Sequence, residues 1–266
     1  MTTHWTLDDI PWAAFDFGRI DPDLLPVVKA AALVERNGGD YQAYLCGVFH
    51  DDPVFQATAR RWAAEEIQHG EALGRWAEMA DAGFSMADAF GRFIAGYRLP
   101  VDARLSVRGS RTGELVARCV VEVGTSSFYS ALRDATDEPV LKEICRRVAA
   151  DEFRHYKTFY DAMHRYRERE GIGLWRRLAV ALGRLRESDD DELAFAWHCA
   201  NEPEEAYERR RCNAAYGRRA YALYRREHVE RAVAMTLKAV GLPPRGRLAR
   251  WAGAVLWSRL RRRAAA

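Results

Sequence analysis

The sequence predicts an all-α protein, a helical bundle with added C-terminal helices. Three observations carry that expectation: abundant Ala, Arg, Leu and Glu with few alternating Val, Ile or Thr stretches, an internal repeat of helix pairs, and prolines placed to open helices. A chain of 266 residues with 48% hydrophobic residues can bury a full-sized core. The expected organisation is a bundle over residues 1–170 and a basic helical extension over residues 171–266 that packs on it.

The repeat fixes the architecture more firmly than propensity does. Asp52, Pro53, Val54, Phe55, Arg60, Arg61, Ala63, Ala64, Glu65, Glu66 and His69 match Glu138, Pro139, Val140, Leu141, Arg146, Arg147, Ala149, Ala150, Asp151, Glu152 and His155 at a constant offset of 86. Upstream, Val34, Glu35, Tyr41 and Leu45 match Val121, Glu122, Phe128 and Leu132 at an offset of 87, so the two copies differ by one residue in the intervening loop. Each unit reads as helix, loop, helix. The Asp-Pro and Glu-Pro steps start the second helix, with proline in the first turn where its missing N–H costs nothing. Between His69 and Glu122, Asp81 to Gly83 and Leu99-Pro100 break the helical pattern and mark a long crossover. Two antiparallel helix pairs joined by one long crossover define the ferritin-like form of the four-helix bundle.

The same repeat carries the chemistry. Residues three apart share a helix face, so Glu66 with His69 and Glu152 with His155 each turn a carboxylate and an imidazole inward. Each copy also has an upstream glutamate, Glu35 or Glu122. Four glutamates buried without partners would cost several kcal/mol each, roughly the penalty of uncompensated buried ions, and two divalent cations cancel their charge. Oxygen-rich ligation with one imidazole per metal and open positions suits Fe(II) or Mn(II) and disfavours zinc. Glu65 and Asp151 precede the ligand glutamates by one residue. They are expected to support a ligand imidazole from outside the metal site, with Arg154 and Gln68 three residues on to hold them.

The segments Trp62 to Gly70 and Ile144 to His155 resemble the soluble acyl-carrier-protein desaturases. That family belongs to the ferritin-like superfamily of non-haem diiron proteins, alongside rubrerythrins and bacterial multicomponent monooxygenases. The similarity runs from about Leu33 to about His164 and is specific at both Glu-x-x-His helices. It implies two iron ions, with Glu35 and Glu122 as terminal carboxylates, Glu66 and Glu152 as bridges, and His69 and His155 as nitrogen ligands. It also implies oxygen activation, with Thr125 as the catalytic hydroxyl on the oxygen-binding side; the counterpart of Thr125 in the first copy is Gly38. The chain departs from plant-type members in its shorter connections and in the region after about residue 171.

The expected activity is therefore O2-dependent oxidation of an unactivated C–H bond, with an acyl thioester as first choice of substrate. Two rivals stand beside it: a rubrerythrin-like peroxidase or ferroxidase, and a non-enzymatic metal-binding scaffold. With no C-x-x-C pair among Cys46, Cys119, Cys145, Cys199 and Cys212, the electrons are expected from an external, ferredoxin-type donor, and the cysteines read as reduced, buried residues.

The net charge of +3 hides an asymmetry: residues 171–266 hold 20 Lys/Arg against 11 Asp/Glu, or +9, leaving 21 against 27, or −6, for residues 1–170. The basic excess is expected near the mouth of a substrate slot, where an acidic acyl carrier protein would dock. Leu174 to Leu185 reads as a basic amphipathic helix, Asp189 to Glu192 as a helix start, and Ala206 to Tyr224 as a Tyr- and Arg-rich helix. The segment Arg245 to Arg263 sets Leu248, Trp251, Val255 and Leu256 among seven arginines, a pattern open to peripheral membrane contact. A homodimer is a further candidate assembly, and nucleic acid is not an expected partner. Trp62 reads as core packing near Glu66, and His4, His50, His164, His198 and His228 as surface or packing histidines. No leader or spanning stretch is visible, so the cytoplasm is expected.

Overall fold

The computed structural model describes residues 4–187 and 191–265. Among them are eleven α-helices and no strand. After short 3-10 turns come α1 (Leu25–Arg36), α2 (Gly38–Val48), α3 (Pro53–Ala80), α4 (Met86–Gly96), α5 (Arg111–Ala135) and α6 (Pro139–Glu170). Then follow α7 (Leu174–Glu187), α8 (Asp191–Asn201), α9 (Arg209–Ala222), α10 (Arg226–Val240) and α11 (Arg247–Ala264).

The prolines act as the repeat predicts. Asp52 caps α3 by accepting from the Phe55 N–H, and Glu138 caps α6 by accepting from the N–H groups of Val140 and Leu141, with Pro53 and Pro139 in the first turns. The loop before α3 is residues 49–52 and that before α6 is 136–138, so the one-residue difference between the copies sits there. One expectation needs correcting. The helix carrying Glu35 is not continuous: α1 stops at Arg36 and α2 starts at Gly38, whereas α5 runs unbroken past Glu122.

Two apolar clusters divide the core. Along α3, Phe55 to Ala63 belongs to one cluster and Ala72 to Ala80 to the other; along α6 the order reverses, with Val140 to Ala149 in the second cluster and Tyr156 to Tyr166 in the first. The α1–α2 pair runs from Val27–Leu33 in the second cluster to Tyr44–Val48 in the first, opposite to α3, and α5 runs opposite to α6. Glu35, Glu66, His69, Glu122, Glu152 and His155 fall in the gap between the clusters. The sequence thus builds a thin polar layer between two dry ones, where unpaired charge is most costly.

The later helices lie on this frame: α8 and α9 pack on α1, and α7 and α10 on α5. They share its core, since Trp197, Cys212 and Tyr216 join one cluster and Ala181, Ala239 and Val240 the other. The predicted start at Asp189 and Asp190 lies outside the described residues, and α8 opens at Asp191. The Tyr- and Arg-rich helix is shorter than expected, because Glu208 caps it and residues 202–208 stay out of it. Along α11, Leu248, Trp251 and Val255 are exposed. No helix among the described residues is long and apolar enough to cross a membrane. All five cysteines are free, four buried and Cys46 half-buried.

Candidate metal centre

The structure brings all six predicted ligands together. Glu35, Glu66, His69 and Glu152 form one group and Glu66, Glu122, Glu152 and His155 a second; in each, one ligand atom per residue lies within 4.8 Å of the others. Glu66 and Glu152 belong to both groups, a position suited to bridging two ions. All six side chains are buried.

Close approach at this level depends on two glycines. A Cβ on Gly38 would stand 2.9 Å from the Glu66 Cβ, and one on Gly70 would stand 2.5 Å from the Arg36 nitrogen. The break between α1 and α2 is therefore pressed against α3 beside Glu35, Glu66 and His69.

The outer nitrogens of the histidines are spoken for. His69 Nε2 lies 3.0 Å from Asp151 and His155 Nε2 lies 2.8 Å from Glu65, so each imidazole is held by the carboxylate of the opposite copy. A carboxylate accepts only, which puts the proton on Nε2 and turns Nδ1 inward. Asp151 also accepts from the Trp5 indole at 2.7 Å and lies 2.9 Å from His4 Nε2. Arg154 joins Asp151 and Glu65 as expected. Gln68 does not: its amide donates to the Trp5 carbonyl at 2.9 Å, so it fastens the N-terminal segment instead. His4 likewise is no idle surface histidine, since it sits between Asp151 and Glu65. Its role arises across a sequence separation of 147 residues, which no local spacing signals.

Inside the cluster, polar atoms lack partners. Glu35 Oε2, Glu66 Oε1, both Glu122 oxygens, Glu152 Oε1 and the two histidine Nδ1 atoms are buried without a hydrogen bond. They are nevertheless close: His69 Nδ1 is 3.3 Å from Glu152 and 3.5 Å from Glu35, and His155 Nδ1 is 2.9 Å from Glu66. These atoms thus lie at ion-pair distance without hydrogen-bond geometry, an arrangement that leaves room for an ion shared among them. Buried native polar atoms are nearly always satisfied, so this set fits a cation. The residues present therefore suit metal ions, which would bind through carboxylate oxygens and Nδ1.

Titration behaviour follows from the crowding. Burial, then Glu152, pushes Glu122 up to about 8, and burial with Glu152 and Glu35 pushes Glu66 well above the carboxylate range. Burial opposes the charged form of both histidines, yet Asp151, Glu152 and Glu35 around His69, and Glu122, Glu65 and Glu66 around His155, raise them well above the usual imidazole value. Burial also opposes ionisation of Asp151, but His69, Trp5 and Arg154 hold it far below the carboxylate range. Without metal, protons do the neutralising inside while the outer carboxylates stay charged.

Thr125 is part of the site. Its hydroxyl donates to Glu152 Oε2 at 2.5 Å. Tyr129, which sequence reasoning passed over, donates to Glu35 Oε1 at 2.7 Å; its position seven residues after Glu122, on the same face, was the available signal. A cavity of about 240 Å³ opens from this layer, walled by Thr125, the four cluster glutamates and apolar side chains that include Trp62 and Phe128. Trp62 is buried against Phe159 and His155 while also facing this space. Helices α7, α8 and α9 complete the wall through Leu185, Leu193, Tyr216 and Tyr224. His50, His164, His198 and His228 stay outside the cluster; His228 instead pairs with Asp134 at 3.0 Å and caps the start of α10. No protein-family model and no curated protein matches this chain.

Proposed function

We propose that the protein is an O2-dependent diiron oxidoreductase on a ferritin-like four-helix bundle, oxidising an unactivated C–H bond in an apolar, acyl-type substrate. One observation carries the reading: two overlapping groups of three glutamates and one histidine, sharing Glu66 and Glu152, open directly into an apolar cavity beside a threonine hydroxyl. Storage or peroxide reduction needs room only for a small oxidant, whereas this cavity has space for an organic substrate.

Glu35, Glu66, His69 and Glu152 would hold one ion and Glu66, Glu122, Glu152 and His155 the other, with iron favoured and manganese the alternative by donor type. A pair of iron ions bound there supplies two-electron reduction of O2. The remaining work belongs to the chain. Asp151 and Glu65 fix the imidazoles, and Arg154 and His4 tie those two carboxylates together. The Thr125 hydroxyl oxygen lies 2.5 Å from Glu152 Oε2, on the cavity side, where its proton can be handed to reacting oxygen and replaced through Glu152. The apolar walls exclude water from the space in which the C–H bond is attacked. Electrons come from a separate ferredoxin-type protein, and the basic excess of residues 171–266 favours an acidic partner such as that donor or an acyl carrier protein.

Oxygen uptake by iron-loaded protein, supplied with reduced ferredoxin and acyl substrates, tests this. Uptake that requires the acyl substrate and yields oxidised product is expected. Rapid peroxide reduction with no response to any acyl compound would instead establish the rubrerythrin-like alternative.

A further inference from the structure

The cavity has a charged end that the proposed chemistry leaves unused. Arg118, Glu122, Thr125 and Tyr129 lie at spacings of four, three and four residues, forming one stripe along α5, and all four line the cavity. The stripe is about 16 Å long at the usual helical rise, with Arg118 about 6 Å along the axis from Glu122. A guanidinium therefore stands at one end, the metal-site carboxylate and threonine in the middle, and tyrosines at the other.

Arg118 is 6% exposed. Its guanidinium lies 4.7 Å above the Tyr41 ring, its Nε is 3.7 Å from Glu114, and that Nε has no hydrogen-bond partner. Glu114 is its ion-pair partner through Oε1 at 3.7 Å, beyond hydrogen-bond reach, and the acids around it take their hydrogen bonds from other groups. Glu114 accepts from the hydroxyls of Tyr44 and Ser106, both at 2.7 Å, and Glu192 accepts from Tyr41 at 2.7 Å. Glu187 takes a two-pronged pair from Arg108 at 2.5 and 2.6 Å and has Arg184 at 3.6 Å. A buried guanidinium carries five N–H donors and is costly to leave without hydrogen bonds, so its fork calls for an acceptor that the cavity can admit.

We propose that Arg118 binds the carboxylate of an amphiphilic organic acid whose apolar body runs past Glu122 and Thr125 towards Tyr216 and Tyr224. The planar fork matches a carboxylate, and with Glu114 already beside Arg118 a monoanion adds less charge to this dry site than a phosphate dianion would. The inference rests on the proposed oxidase reading for its catalytic meaning and narrows it. The substrate is a free acid in place of a thioester, and the carbon presented to the metals lies a short way from its head group.

The test is equilibrium binding of decanoate, decan-1-ol and a decanoyl thioester to the full-length chain, read from tryptophan fluorescence because Trp62 lines the cavity. The metal-free protein is the deciding arm, since no bound metal can then capture the acid. Decanoate is expected to bind at least about tenfold more tightly than the alcohol or the thioester, as a charge-assisted fork requires. Arg118→Met should remove that preference while leaving the alcohol within about threefold of its original affinity. Arg118→Lys should restore it in part. Should Arg118→Met fold poorly with Glu114 left behind, the Glu114→Gln/Arg118→Met pair removes both charges and makes the same comparison. Equal binding of acid and alcohol by the wild type, a thioester that binds more tightly than the acid, or a preference that survives loss of Arg118, overturns the proposal. Acid preference in a protein that takes up no iron would sink the oxidase reading alone, and two irons without acid preference would sink the anchor alone.

Discussion

The two copies of the repeat agree where metal would be held and differ where substrate would react. Each contributes an upstream glutamate, a Glu-x-x-His helix and an outer carboxylate that grips the histidine of the other copy. The hydroxyls are one-sided: Thr125 and Tyr129 both come from the second copy, reaching Glu152 and Glu35, and the matching positions in the first are Gly38 and Gln42. The helix is one-sided too, broken after Glu35 and continuous through Glu122. Charge balance would constrain the six clustered Glu and His residues in both copies, whereas the cavity meets the four glutamates and neither histidine. Divergence gathered on the cavity side.

The bridging and terminal carboxylates offer the largest contrast. Glu66→Ala or Glu152→Ala should abolish binding of both metals, because each belongs to both groups, while Glu35→Ala or Glu122→Ala should leave about one metal per chain by ligand count. Elemental analysis of the four variants checks this; equal losses in all of them would dissolve the distinction. The outer carboxylates come next. Asp151→Asn and Glu65→Gln should each weaken metal affinity by about 10- to 100-fold, the usual cost of losing a carboxylate behind a ligand histidine. Asp151→Asn should be the worse of the two, since Asp151 is buried with Trp5, His4 and Arg154 around it and Glu65 is partly exposed. Competition titration with a coloured chelator ranks them.

Thr125→Val tests the one-sidedness directly. Both metals should stay, while product formed per O2 consumed falls by roughly tenfold or more, the scale of a misplaced proton donor. A loss of metal instead would make Thr125 a structural prop for Glu152.

The smallest effect is on stability against pH. Glu122, at about 8 in the metal-free fold against an ordinary 4.5, binds its proton more tightly folded than unfolded. Its contribution is therefore fully present below about pH 4.5 and is lost as pH rises through about 8, and raised Glu66, His69 and His155 act in the same direction. Thermal melts of metal-free protein should decline from pH 6 to pH 9, and those of metal-loaded protein should not, because metal has displaced those protons.

Much of this was legible in the sequence because it is local or repeated. The helix-opening Asp52 and Glu138, the crossover and the clustering of the six Glu and His side chains all follow from spacing and register. Long-range contacts were not legible. His4 and Trp5 meet Asp151 across 146 residues or more, whereas the grip of Asp151 on His69 was expected from the repeat. The break at Asn37 was hidden because a Gly-Gly step inside an otherwise helical pattern has no unique reading; here Gly38 packs on Glu66. Arg118 reads as an ordinary helix residue until its burial is known.

Anaerobic titration of the wild-type chain with Fe(II), followed by removal of unbound metal and elemental analysis, tests the central claim most directly. Two irons per chain, with proton release on uptake, is the result the paired Glu/His groups predict. A chain that saturates at one iron or none, while remaining folded, would contradict it.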